Sequence, residues 1–306
     1  MLSDLKFERR VRYEKRIETE EDLLSFIENA RSDKRFFYRG LNNSQYLCVS
    51  SFYRYYYTTQ KPKVEVVVYN KTENAEEILP NIDFNDFHKK SIEIIDEFNR
   101  QLVISGAIES ELSFSDACTL AQHYELPTNL IDFTFNPLVA LFFACTGSDD
   151  TDAAVFESDI YNHVEVINGV LQDGVSGYYK KPDEAHRELI KKLTTIDKTV
   201  DFPLRTPTIQ NTMLEHNVRI QLQSGVFVYN LFEKPYDIVM YNFWDEPYVL
   251  PGRTVYVINR DLKPFVRKLL EKRDISRASL MPKKDGEKIK MAVEETKRVL
   301  SIPARY

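Results

Sequence analysis

"LAQHYELPTNLIDFTFNPLVALFFA", residues 120 to 144, sets two polar clusters inside a run that is otherwise mostly apolar. Just before and within it, Ser115 can cap a helix "DACTLAQHY" whose Ala117, Leu120, Ala121 and Tyr124 fall on one face. "LPTNLIDFTFNP" reads from its residues as an irregular connection. Asn136 then caps a second helix with Pro137 at its first position, where a missing N–H costs nothing, and "LVALFFACTG" carries it to Gly147. Gln122-His123 and Asp132-Thr134 therefore sit among residues that favour burial. Polar and ionised groups in such a setting must be paired, hydrated in a cleft, or both.

The same anomaly recurs twice elsewhere. "RFFYRG" (35–40) puts Arg39 at the end of a short apolar strand stopped by Gly40, and "RIQLQSGVF" (219–227) embeds Arg219 and Gln223 in a strand running to Asn230, with Gly225 at a bend or close approach. Each residue alone has a plain structural account. Arg39 or Arg219 can pair with Asp132 inside the core. Asp132 and Thr134 suit Asx and ST turns before a helix. His123 suits a helix end or a core contact. Taken together, the four stretches carry a family resemblance.

The remaining elements fit one α+β domain. Thr19, followed by Glu20, Glu21 and Asp22, starts a helix with Leu23, Leu24 and Ile27 as its apolar stripe, ending near residues 31–32. Residues 52–70, "FYRYYYTTQKPKVEVVVYN", read as a tyrosine-rich β edge, a loop at Lys61-Pro62 and a β-rich run. An amphipathic helix is expected within 85–104. Short strands are expected at "AAVF", "VEVI" and "RTVYVIN", a helix at "DEAHRELIKKL", and two C-terminal helices near 261–273 and 285–300. Residues 1–19 read as an N-terminal extension of a domain spanning 20–306.

Composition excludes several classes. The chain has 306 residues, 43% hydrophobic and 29% charged, as soluble globular proteins do. A net charge of -6 argues against a non-specific polyanion binder, although a local basic groove is compatible with it. Cys48, Cys118 and Cys145 are widely spaced, with no C-x-x-C pair, so neither zinc nor a disulfide framework is expected. Neither "MLSDLKFERR" nor "PLVALFFAC" suits a signal peptide or a membrane span, so a cytoplasmic protein without membrane contacts is expected. Glycine-rich nucleotide motifs, H-E-x-x-H and G-x-S-x-G are all absent, and no metal ligands are expected.

"FYRG", followed some eighty residues later by "AQHYELPTNLIDFTFNPLVALFFA", resembles the FRG domain family, named for its Phe/Tyr-Arg-Gly motif. The family's second block has the form Q-H-x-x-L-P-T-x-L-[LI]-D-[WF]-T-x-N-P-L-V-A-L-x-F-A, with Phe133 here in place of the commoner Trp. "RIQLQSGVF" is similar to its third block, and "DISRASLMPKKDGEKI" to its closing segment. The likeness runs from roughly residue 20 to 296 and, through it, more distantly to ADP-ribosyltransferases of the arginine–serine–glutamate kind.

That resemblance implies a split β-sheet core flanked by helices and a cleft for NAD. Tyr38, Arg39 and Gly40 would match the arginine strand, with Arg39 and Arg219 on the pyrophosphate and Gly40 allowing close backbone approach. Thr134 would stand in the serine's place, and Gln223 where the family's enzymes carry a glutamate. Asp132 is a candidate for the missing carboxylate, and His123 for a base toward the acceptor. An NAD-dependent ADP-ribosyltransferase is expected, a bacterial toxin or anti-phage effector modifying RNA or protein, with an antitoxin protein as a possible partner. "SSFYRYYYTTQKPK" (50–63) has the aromatic and basic make-up of an RNA stacking platform. The alternative is a binding module that kept the cleft and lost the chemistry.

Overall fold

A computed structural model describes residues 13–30, 36–60, 64–69, 75–80, 82–159, 218–229, 235–236, 254–281 and 286–304. Six strands form one mixed sheet: β1 (Tyr13–Ile17), β2 (Phe36–Leu41), β5 (Leu130–Thr134), β6 (Ala153–Asp159), β7 (Gly225–Tyr229) and β8 (Thr254–Ile258), in the order β1-β8-β6-β2-β5-β7. β1 joins β8 in parallel and every other neighbour is antiparallel. A separate antiparallel hairpin pairs β3 (Val64–Tyr69) with β4 (Ala75–Pro80). The helices are α1 (Glu20–Asn29), α2 (Ser51–Gln60), α3 (Phe84–Ile104), α4 (Phe114–His123), α5 (Pro137–Cys145), α6 (Val218–Leu222), α7 (Lys263–Glu271), α8 (Arg277–Leu280) and α9 (Glu287–Val299). The fold is α+β, and Tyr13–Ile17, ahead of residue 20, supplies an edge strand of the main sheet.

Sequence chemistry explains the long elements. Thr19 caps α1 through a reciprocal pair with Asp22, with three acidic residues in the first turn. Asn136 caps α5 by accepting from Leu138 N–H, with Pro137 following as expected. Ala117, Leu120, Ala121 and Tyr124 are buried together, packed with Phe98 and Leu102 of α3 and Val293 of α9 against Leu130, Phe227 and Tyr229 of the sheet. A second cluster packs α1, α5 and α7 on Phe36, Tyr38, Val155 and Ile258. Two helical groups thus cover two halves of the sheet.

Several expected elements differ. The cap of α4 is Ser113, whose hydroxyl accepts from Asp116 N–H, rather than Ser115. "LIDFT" is a strand, β5, rather than an irregular connection. β2 runs through Gly40 to Leu41 instead of stopping at the glycine. Residues 219–222 form the helical turn α6, so the strand begins only at Gly225. The tyrosine-rich stretch is helix α2, with Phe52, Tyr53 and Tyr56 buried against Phe87. A helix satisfies its main chain internally, and 1–4 spacing turns Phe52 and Tyr56 to one face. The expected loop at Lys61-Pro62, strand "VEVI" and helix "DEAHRELIKKL" lie outside the described residues.

The sheet is continuous, yet weakest at its middle. β2 and β6 share six register pairs and β5 and β7 share five, whereas β2 and β5 share only Tyr38↔Thr134. Past that pair the two strands part. The opening lies between the two helical groups.

Candidate functional site

A cleft of about 240 Å³ occupies that opening. Tyr38, Arg39, Gly40, His123, Asp132, Thr134, Arg219 and Gln223 all line it, so every residue singled out from the sequence comes to one place. They arrive on five elements: β2, α4, β5, α6 and the turn before β7.

Arg39 is half-buried. Its Nη1 donates to the main-chain carbonyl of Asp132 at 2.6 Å, and its Nε is buried with no partner among the described residues. The guanidinium therefore bridges the parted strands, capping a carbonyl that a complete ladder would have used. The expected core ion pair with the Asp132 carboxylate is not formed: among the described residues Arg39 meets the backbone of Asp132 instead. Asp132 is exposed to the cleft, and both its oxygens accept from Gln122 Nε2 at 3.0 Å. The cation and the anion are each held by a neutral dipole.

At Gly40 the close approach is made by the protein itself. A Cβ there would lie 1.9 Å from the carbonyl oxygen of Ala140 and 2.7 Å from the amide nitrogen of Ala144, both on α5. Tyr38 is fully buried in the cluster under α5, so it forms floor rather than a free ligand contact. Thr134 is buried too. Its hydroxyl donates to the Gln223 carbonyl at 2.6 Å and accepts from Asn136 N–H at 2.9 Å, which ties β5 to the turn before β7. That hydroxyl is already committed, and Thr134 acts as a staple.

Gln223 donates its amide to the Leu280 carbonyl at 2.9 Å, which anchors the turn to α8. Its neighbour Ser224 adopts φ 46°, the left-handed conformation that reverses the chain between α6 and β7. Arg219 is half-buried on α6 and forms no ion pair among the described residues. His123, at the last position of α4, packs edge-on to Tyr124 with ring centroids 5.1 Å apart. Phe143, Ile220 and Phe227 supply an apolar wall.

Sequence reasoning marked Gln122 as anomalous but gave it no place in the site, and it did not single out Phe143 or Ile220. The signal for Gln122 was the same as for its neighbours: a polar side chain on an apolar helix. The three cysteines are buried and none lines the cleft. Burial pushes the Cys145 thiol up to about 12 and raises Cys118 as well, which removes both as neutral-pH nucleophiles.

Residues 34–153 match the family model of the FRG domain. The match takes in β2, α4, β5 and α5 with most of the cleft, while Arg219 and Gln223 lie beyond it. No curated protein and no solved structure matched the chain. No helix among the described residues is long and apolar enough to cross a membrane.

Proposed function

We propose that the cleft binds NAD and that the protein transfers its ADP-ribose to an acceptor. One observation carries this reading. Arg39, Asp132, His123 and Arg219, drawn from separate parts of the chain, line one cleft in which the guanidinium keeps a buried, unpartnered Nε and the carboxylate stays exposed. A buried unpartnered donor on a charged group is costly unless a ligand completes it.

The roles follow from charge. Arg39 and Arg219 take the pyrophosphate, for which a planar guanidinium is well shaped. Asp132 accepts from a ribose hydroxyl and offsets the positive charge that grows at the anomeric carbon as the nicotinamide–ribose bond breaks. Nicotinamide leaves with the bonding electron pair. The acceptor nucleophile then bonds to the same carbon and gives up its proton, with His123 as the base. At about 240 Å³ the cleft is smaller than pockets that enclose a whole ligand of this size, roughly 300–1,000 Å³, so it takes one end of the dinucleotide. Phe143 and Phe227 suit the nicotinamide ring.

The expected fold likeness to arginine–serine–glutamate transferases belongs to this reading, and the parting of β2 from β5 supports it. So do the toxin or anti-phage role and a neutralising antitoxin, which follow from the family resemblance. A cytoplasmic setting fits NAD as the substrate.

A second reading, a nucleotide-binding module without chemistry, is favoured by Gln223. A neutral amide stands where the resemblance expects a glutamate, and Leu280 already occupies it. Incubation with NAD labelled in its adenylate part, together with cellular RNA and protein, separates the two. Label on either macromolecule, lost in Arg39→Ala, supports the transferase and names the acceptor class. A rise in melting temperature with NAD but no transfer supports the binding module. Neither effect refutes both. Growth arrest on expression, relieved by Arg39→Ala, tests the toxin assignment.

A further inference from the structure

Gln122 stands between the cleft and a polar lock behind it. Its Nε2 donates to Asp132 Oδ1 and Oδ2 at 3.0 Å each. Its Oε1 accepts from the Thr128 hydroxyl at 2.5 Å, with the Ser51 hydroxyl a further 3.4 Å contact. Thr128 is 1% exposed, and its hydroxyl oxygen also accepts from Leu130 N–H at 3.2 Å. A hydroxyl has a single proton, and the acceptor that the Thr128 proton meets is Gln122 Oε1.

Asp132, whose carboxylate only accepts, selects this orientation of the amide, and the Thr128 proton anchors its other end. Turned over, its carbonyl would face the carboxylate, and the Thr128 proton would face an N–H. The lock itself is bolted down: Thr128 N–H donates to Ser51 Oγ at 3.0 Å, and Phe52 N–H donates to the Thr128 carbonyl at 2.9 Å. Ser51 opens α2, whose Phe52, Tyr53 and Tyr56 are anchored in the core. The tyrosine-rich helix thus has a role at the site. It backs the carboxylate from behind.

We propose that Gln122 is a positioning residue for Asp132, and that the Thr128 hydroxyl proton, backed by Ser51 at the start of α2, fixes the orientation in which it works. The inference rests on reading the cleft as an NAD site. Held this way, the carboxylate presents its outward lone pairs as a fixed acceptor and needs no reorganisation when positive charge develops on the ribose. A neutral amide does the holding, so the negative charge is not cancelled.

The test uses Thr128→Val, which removes the proton at nearly constant shape, Thr128→Ser, which restores it, and Gln122→Met, which cannot donate. Two measurements are made on the 306-residue chain. The first is NAD turnover with ADP affinity alongside. Thr128→Val and Gln122→Met should lower kcat about 10- to 100-fold, as loss of a hydrogen bond to a charged group does. ADP affinity should stay within about twofold, since the phosphate contacts remain. The double variant should be no worse than Gln122→Met, because the two residues act as one unit. Thr128→Ser should match the parent.

The second measurement is hydrogen exchange of the Gln122 side-chain amide by NMR. It should be slow in the parent and in Thr128→Ser, and fast in Thr128→Val. Parent-like turnover in Thr128→Val, or a loss that Thr128→Ser does not rescue, overturns the proposal. A parent chain that binds ADP but never consumes NAD removes the transferase reading alone. The exchange pattern then decides the lock by itself, and equal exchange in parent and Thr128→Val overturns it.

Discussion

Replacing Gly40 with alanine adds one methyl group where β2 crosses closest to the backbone of α5. The new carbon would lie 1.9 Å from Ala140 O and 2.7 Å from Ala144 N, whereas ordinary contact begins near 3.4 Å. Both obstructing atoms are helix backbone, so no side chain can rotate aside. β2 and α5 would have to separate by more than an ångström, and α5 is capped by Asn136 and buried along Val139, Ala140, Leu141, Ala144 and Cys145. Overpacking costs typically about 1–3 kcal/mol, and a clash with main chain belongs at the top of that range. At roughly 2–4 °C per kcal/mol for larger domains, the melting temperature should fall by about 6–12 °C. Thermal unfolding of the ligand-free protein, followed by circular dichroism, reads it directly. The sequence alone suggested a different purpose for Gly40, close approach of the main chain to a bound phosphate. That purpose predicts unchanged stability and a lost ligand response. A melting temperature within about 2 °C of the parent would refute the packing argument.

Arg39→Ala should cost about 1–2 kcal/mol in urea unfolding, the worth of a hydrogen bond to a carbonyl, and should abolish any NAD-induced rise in melting temperature. A cost of about 3–5 kcal/mol would restore the buried ion pair with Asp132. Thr134→Val removes the bonds to the Gln223 carbonyl and the Asn136 amide and should cost about 1–3 kcal/mol. Its ADP affinity should stay near that of the parent, and a selective loss of binding at parent-like stability would make Thr134 a ligand contact. Burial holds the His88 imidazole on α3 below its usual 6.5. Below that pH the unfolded chain binds a proton that the folded chain does not. Stability should therefore fall with acidification below 6.5, by at most about 1.4 kcal/mol per pH unit from this residue. Urea midpoints against pH for the parent and His88→Leu should show a shallower acid slope in the variant, and identical slopes would contradict the argument.

Helices with a clear apolar stripe were legible in the sequence because periodicity and caps agree: α1 with its Thr19–Asp22 box, α3, α5 behind Asn136-Pro137, and the last two long helices. β5 was hidden by its brevity and by turn-forming Pro127, Thr128 and Asn129 just before it. Both of its faces are also covered, Leu130 against one helical group and Ile131 and Phe133 in the cluster on the other face, so no alternation announces a strand. α2 was misread because aromatic residues favour strands on average, whereas here they fill a pocket against Phe87 that only tertiary packing reveals. α6 spans five residues and is too short to carry a period. The site was legible as chemistry, since polar groups in apolar runs converge where partners or solvent can reach them. Its inner logic was not, because the Thr128 proton, the Gln122 amide and the parting of β2 from β5 depend on distances between segments far apart in the chain.

An arginine and an aspartate share one cleft without neutralising each other, and that separation is the physical basis of the functional reading. Had Arg39 met the Asp132 carboxylate, the attraction would have been used up inside the protein, and a ligand would have had to break it. Instead Arg39 spends one N–H on the Asp132 carbonyl left open where β2 and β5 part, and Asp132 leans on the amide of Gln122. Each charge is oriented by a dipole that carries no net charge. Each therefore retains most of its field for whatever enters between them, in a partly enclosed space where such fields are less screened than in water. A molecule carrying phosphate at one end of a short span and a hydroxyl-bearing centre of developing positive charge at the other suits that arrangement. The parting of the two strands does two things at once: it opens the space, and it supplies the main-chain acceptor that keeps the cation off the anion.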